Sequence, residues 1–130
     1  MKKKMITSRV NETIKFVKSL KDKKNRDENN VFLVEGIKLT KEALKSGFKV
    51  KKIFLTENNE KEFLDYGVET VTVSNDVFKS ISNEVSPQGV LGIVEKPSEK
   101  PFNKKNCLLL DGVSDPGNVG AIMRTAAATC

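Results

Sequence analysis

Four short apolar runs, separated by stretches of helical spacing, constrain this chain more than any other feature. "VFLVEG" (31–36), "VKKIFLTE" (50–57), "VETVTVS" (68–74) and "PQGVLGIVEKP" (87–97) read as strands, the last bounded by Pro87 and Pro97. Between them, "IKLTKEALKSGF" (37–48) places Ile37, Thr40, Ala43 and Leu44 on one helix face, with Gly47 as its stop. "NEKEFLDYG" (59–67) is a short helix ending at Gly67, and "NDVFKSISN" (75–83) is a helix capped by Asn75 or Asp76. Ahead of all of these, Val10, Ile14, Val17 and Leu20 recur at helical spacing behind Ser8 as a cap, and "KDKKNRDENN" (21–30) reads as a polar loop. Strands alternating with helices of about ten residues predict an α/β sandwich with a largely parallel sheet.

Length and composition fit that reading. At 130 residues and 38% hydrophobic content the chain can bury a core, which excludes a disordered polyanion or polycation. No apolar run approaches the roughly 20 residues of a membrane span, and the basic start "MKKKMITSRVNE" has no apolar stretch behind it. Cytoplasmic residence, with no membrane partner, is the expectation. Cys107 and Cys130 share no metal-ligand spacing and there is no His, so no metal site is expected.

The net charge of +6 is uneven. Residues 1–26 hold ten Lys or Arg against Glu12 and Asp22, a balance of +8, while the rest of the chain balances at −2. A compact positive segment is what a polyanion needs, because neutralised phosphates release their counterions. Lys21, Lys23, Lys24 and Arg26 are the candidate RNA contacts. A solvated helix face is the alternative use of the same charge.

The stretch 96–106, with Pro97, Pro101 and five Lys or Glu, contains a linker (98–106) that divides an N-terminal domain (1–97) from a second domain that starts at residue 107. There "CLLLD" (107–111) reads as a strand, followed by a glycine-rich loop and a helix capped by Asn118. Val119, Ile122, Met123, Ala126 and Ala127 form one apolar face of that helix. The opposite face carries Gly120, Ala121, Arg124, Thr125 and Ala128, with Arg124 about 130° from the apolar centre. A helix bare of Lys and Glu on both sides expects a cover on both, and a strand, loop and helix do not make a core alone. The region 107–130 therefore reads as the truncated start of a domain.

"LLLDGVSDPGNVGAIMRTAAA" resembles the first signature motif of the SpoU (TrmH-like) RNA ribose 2′-O-methyltransferases of the SPOUT superfamily: strand, Asp, D-P-G-N, an Arg six residues after the Asn, then small residues. Upstream, Arg26, "FLVEG" and "SPQGVLGIVEKP" resemble that family's N-terminal substrate-binding domain, an α/β/α sandwich like certain ribosomal proteins. The resemblance implies methyl transfer from S-adenosylmethionine to a ribose of ribosomal or transfer RNA. It also implies a homodimer and a trefoil-knotted second domain whose cofactor-binding motifs lie beyond residue 130. By the same resemblance Arg124 and Asn118 are the catalytic residues, and a fragment ending here binds no cofactor. The rival readings are a non-catalytic, ribosomal-protein-like RNA-binding module and a phosphate- or nucleotide-binding α/β enzyme using the helix N-terminus. The second lacks the phosphate-loop Lys.

Overall fold

The computed structural model describes residues 4–101 and 106–129. It divides into two compact units, Met1–Ser98 and Glu99–Cys130. Part of the segment expected as a linker, 102–105, lies outside the described residues, as does Cys130.

The first unit is built around a four-stranded sheet. Its strands are β1 (Val31–Glu35), β2 (Val50–Leu55), β3 (Thr70–Thr72) and β4 (Val90–Glu95). Its helices are α1 (Glu12–Ser19), α2 (Lys23–Glu28), α3 (Ile37–Lys45), a 3-10 helix over Glu57–Tyr66, and α4 (Asn75–Ile81). The strand order is β1-β4-β2-β3. Among the described residues β2 and β3 pair in parallel, and an isolated bridge joins Ile6 to Val73 in the same sense, whereas β4 runs antiparallel to both β1 and β2. The expectation of a largely parallel sheet is corrected by the last strand. β4 does not extend the sheet at its edge but inserts between the first two, reversed, so one strand contributes two antiparallel ladders. Its sequence, V-L-G-I-V, suits that central place, since residues on both of its faces are buried.

Each face of the sheet is covered. Phe54, Leu91 and Ile93 meet Ile14, Val17 and Leu20 of α1 and Val77, Phe78 and Ile81 of α4. On the other face Ile53, Leu55 and Val90 pack with Phe63 of the 3-10 helix and with Ile37 and Leu44, and Val34 and Val94 pack with Ala43 of α3. Full burial of such side chains contributes about 1.5–3 kcal/mol each, which makes this double-faced core the main source of stability. Gly92 leaves room on β4 for both β1 and α3: an added Cβ would lie 2.9 Å from Val34 Cγ2 and 3.4 Å from Thr40 Cγ2.

Several local expectations change. α1 starts at Glu12, capped by Asn11, whose side chain accepts from Thr13 N. Ser8 is not its cap, and Val10 lies outside the helix with 72% of its surface exposed. The stretch expected as a polar loop contains α2, capped by Asp22. Ser74, not Asn75 or Asp76, caps α4. The N-terminus is tied to α4 by Arg9, whose Nη2 and Nε donate to the Asp76 carboxylate at 2.5 and 3.0 Å.

In the second unit, α5 runs over Pro116–Thr129 and residues 107–111 form no strand. A strand exists only through pairing, and no neighbouring strand offers its backbone to this segment among the described residues. Leu108, Leu109 and Leu110 are correspondingly 58, 89 and 38% exposed. No residue of α5 is buried. No helix among the described residues is long and apolar enough to cross a membrane.

Candidate functional site

The basic segment is less free than its composition suggests. Lys21 Nζ donates to the Ser82 carbonyl at 2.9 Å. Lys23 pairs with Asp27 at 2.5 Å and Lys24 with Glu28 at 3.9 Å, one helical turn on. Arg26 is half-buried, and its Nη1 donates to the carbonyls of Leu20 at 2.9 Å and Lys21 at 2.7 Å. It closes the C-terminus of α1, where unpaired carbonyls and the helix dipole favour a cation. Asp27 also receives Lys96, and the hydrogen bonds from Lys23 and Lys96 lower its carboxyl to about 2. The +8 count stops just short of Asp27 and Glu28, the two carboxylates that face these lysines. Lys23 and Lys24 remain 79 and 78% exposed on their side chains, and such surface pairs yield readily to a phosphate.

The loop before α5 is organised by Asp115 rather than Asn118. The Asp115 side chain accepts from Gly117 N at 3.0 Å, and its carbonyl accepts from Val119 N at 3.1 Å. An anionic acceptor at the N-terminus complements the helix dipole better than a neutral amide. Asn118 therefore sits inside the first turn with its side chain exposed, and among the described residues it has no hydrogen-bond partner. Arg124 is likewise exposed and without a partner among the described residues. Six residues at 100° each put the two side chains about 120° apart around the helix. Gly117, Gly120 and Ala121 share the helix face of Arg124, so small residues surround it there.

One cluster escaped the sequence reading. β1, β2 and β3 run the same way and β4 runs opposite, so their C-terminal ends meet the start of β4. There Asn59, buried on the 3-10 helix, donates to the carbonyls of Gln88 at 2.9 Å and Gly89 at 3.2 Å and to Thr56 Oγ1 at 3.0 Å. Gln88 Oε1 accepts from Ile37 N at 3.0 Å, which caps α3 where Gly36 has no side chain to do so. Glu35 accepts from Ser82 Oγ and from Asn83 N, the latter at 3.0 Å. The signal available in the sequence was the Gln-Gly pair opening β4: Gly89 adopts φ +82°, and an added Cβ would stand 2.4 Å from Thr56 Oγ1.

Residues 11–92 match the family described as the MRM3-like substrate binding domain. The chain is 37% identical, over 95% of its length, to the 23S rRNA (guanosine(2553)-2′-O)-methyltransferase RlmP of Bacillus subtilis, of which it covers 50%. A solved RNA 2′-O ribose methyltransferase superposes with a TM-score of 0.75 at 29% identity, covering 96% of this chain and 52% of that one. The AdoMet-bound rRNA methyltransferase of Sinorhizobium meliloti superposes at 0.71 with 35% identity, over 96% of this chain and 51% of its own. The fold is thus the mixed α/β fold of SPOUT methyltransferase structures. The chain belongs to the MRM3-like substrate-binding domain family of the SpoU (TrmH-like) methyltransferases. It spans about half the length of RlmP and of these solved chains.

Proposed function

We infer that this chain is the substrate-binding half, with the opening segment of the catalytic half, of an RNA ribose 2′-O-methyltransferase acting on ribosomal RNA. The observation that carries this is the 37% identity to RlmP over 95% of the chain. In this reading the unit Met1–Ser98 holds RNA and the 1–97, 98–106 and 107–130 division is functional. The enzyme works as a homodimer.

The methyl donor of this chemistry, S-adenosylmethionine, supplies an electrophilic methyl on a sulfonium. The described residues do not make a pocket for it. Every one from 106 to 129 is at least partly exposed. The cleft of about 730 Å³ among Leu108, Ile122 and Thr125 is mainly apolar and has no carboxylate to face a sulfonium. The cofactor site is therefore proposed to lie elsewhere in the protein.

What this chain contributes to the reaction is the handling of the nucleophile. A ribose hydroxyl is a weak acid, and charge develops on its oxygen as it attacks. A guanidinium, with its pKa above about 12, does not accept that proton. Arg124 instead grips a phosphate of the substrate in two-pronged fashion and lowers the energy of the developing alkoxide. Asn118, with a free carboxamide in the first turn of α5, shapes the same site.

The test is methyl transfer from tritiated S-adenosylmethionine to ribosomal RNA by the protein that carries this chain. The expected product resists alkaline cleavage at one ribose, because the 2′-oxygen is blocked. Methylation of a base, or labelling of no RNA, would overturn the reading.

A further inference from the structure

Three carboxamides at the end of the sheet keep hydrogen-bonding capacity that the protein does not use. Gln88 spends Oε1 on Ile37 N, and its amide N–H groups have no partner among the described residues. Asn58 Oδ1 accepts from Thr56 Oγ1 at 2.6 Å, which leaves its own N–H groups free in the same sense. The Asn75 side chain has no partner among the described residues, and neither has the Lys79 ammonium. All four line a single cleft of about 240 Å³, together with Thr56 and Pro87. No Asp or Glu lines it.

The adjoining cleft provides the contrast. It is larger, about 410 Å³, and shares Gln88, but Glu35, Glu42 and Glu84 line it against a single Lys38. Three carboxylates to one ammonium repel a phosphate, so an RNA chain crossing this end of the sheet is directed to the smaller, acid-free cleft.

The edge of a nucleobase displays donors and acceptors side by side; the Asn75 carboxamide offers both, and Gln88 and Asn58 add free N–H donors for its acceptors. An ammonium free of carboxylates supplies the complement to the phosphate of the same nucleotide. Sequence-specific RNA recognition works on unstacked bases whose edges are open in this way. We propose that the cleft between Asn58, Asn75, Gln88 and Lys79 binds one unstacked nucleotide of the RNA. The carboxamides read the base edge and Lys79 holds the phosphate. The proposal rests on the RNA reading given above and assigns it a specific recognition point, distinct from the basic segment around α2.

Side-chain amide resonances of the ¹⁵N-labelled chain report on this directly. Titration with a short single-stranded oligoribonucleotide, and separately with the four ribonucleoside 5′-monophosphates, should shift the NH₂ signals of Asn58, Asn75 and Gln88. Inorganic phosphate should leave them in place. Asn75→Ala and Lys79→Ala, both at exposed positions without partners, should each weaken oligoribonucleotide binding about fivefold at unchanged melting temperature. Lys38→Ala, in the acidic cleft, should not. If the RNA binds while the three carboxamide signals stay still, the nucleotide site is overturned and the RNA reading stands. Equal shifts with inorganic phosphate would reduce the cleft to an anion site and overturn base recognition. Undiminished affinity in both alanine variants would overturn the proposal too. A chain that binds no RNA at all would sink the RNA reading and the nucleotide site with it.

Discussion

The buried side chain of Asn59 donates to the carbonyl of Gln88 at 2.9 Å, clamping the start of the central strand to the 3-10 helix. The same amide reaches Gly89 O and Thr56 Oγ1. Loss of a buried donor leaves its acceptors unsatisfied, which costs more than the bond alone contributes. Asn59→Ala should lower unfolding free energy by about 2–3 kcal/mol. Gly89→Ala should cost about 3 kcal/mol or more, because it adds both a left-handed backbone penalty and a Cβ 2.8 Å from Asn59 Nδ2. Urea denaturation monitored by circular dichroism measures both. A Gly89→Ala protein as stable as the parent would show that the turn is not held as described.

The basic segment should split into two functions. Arg26 holds the carbonyls that end α1, so Arg26→Ala should cost about 1–2 kcal/mol of stability. Lys23 and Lys24 are exposed and their ion pairs lie at the surface, so Lys23→Gln with Lys24→Gln should leave the melting temperature within a few degrees while weakening RNA binding. The slope of log affinity against log salt should flatten by about two, one per lost phosphate contact. An unchanged slope would remove α2 from the RNA surface.

Much of the first unit was legible because burial on both faces of a sheet leaves continuous apolar runs, and all four strands lie within the runs that announce them. The direction of β4 was not, since V-L-G-I-V is equally apolar read against either neighbour orientation. α2 was hidden for the opposite reason. K-K-N-R-D-E has no apolar face and no buried residue, and the helix rests on the Asp22 cap and ion pairs one turn apart. Caps were misplaced by one to three residues, as with Asp115 for Asn118, because Ser, Asn and Asp cap alike and several stand together. The carboxamide cleft could not be seen at all, as Asn58, Asn75 and Gln88 meet only through the strand order.

Asp27 gives the fold a defined acid dependence. Its carboxyl sits at about 2, lowered from 3.8 mainly by hydrogen bonds from Lys23 and Lys96. A carboxyl lowered in the folded state stabilises fully above its unfolded value and loses that contribution as pH falls through the folded one. The stability difference between parent and Asp27→Asn should therefore be constant above pH of about 4 and vanish towards pH of about 2. Denaturation curves across that range check it, and a pH-independent difference would mean that Asp27 acts through packing instead of charge.

The last prediction concerns Arg124 in the protein that carries this chain. The side chain is exposed on α5 and has no partner among the described residues, so Arg124→Ala removes nothing the helix depends on. Surface substitutions of this kind change stability by about 0.5 kcal/mol or less. If the guanidinium stabilises charge at the attacking hydroxyl, turnover should fall by about 10²–10³, the effect of removing one donor from an oxyanion site. Cofactor affinity should barely change. Arg124→Lys should rescue poorly, because an ammonium is a point charge and holds no phosphate in a two-pronged grip. Single-turnover methyl transfer and thermal melts on the same samples separate the possibilities. Near-normal turnover in a folded Arg124→Ala protein would take the arginine out of the reaction, and a collapsed melting temperature would show that it is buried against a surface the described residues do not include.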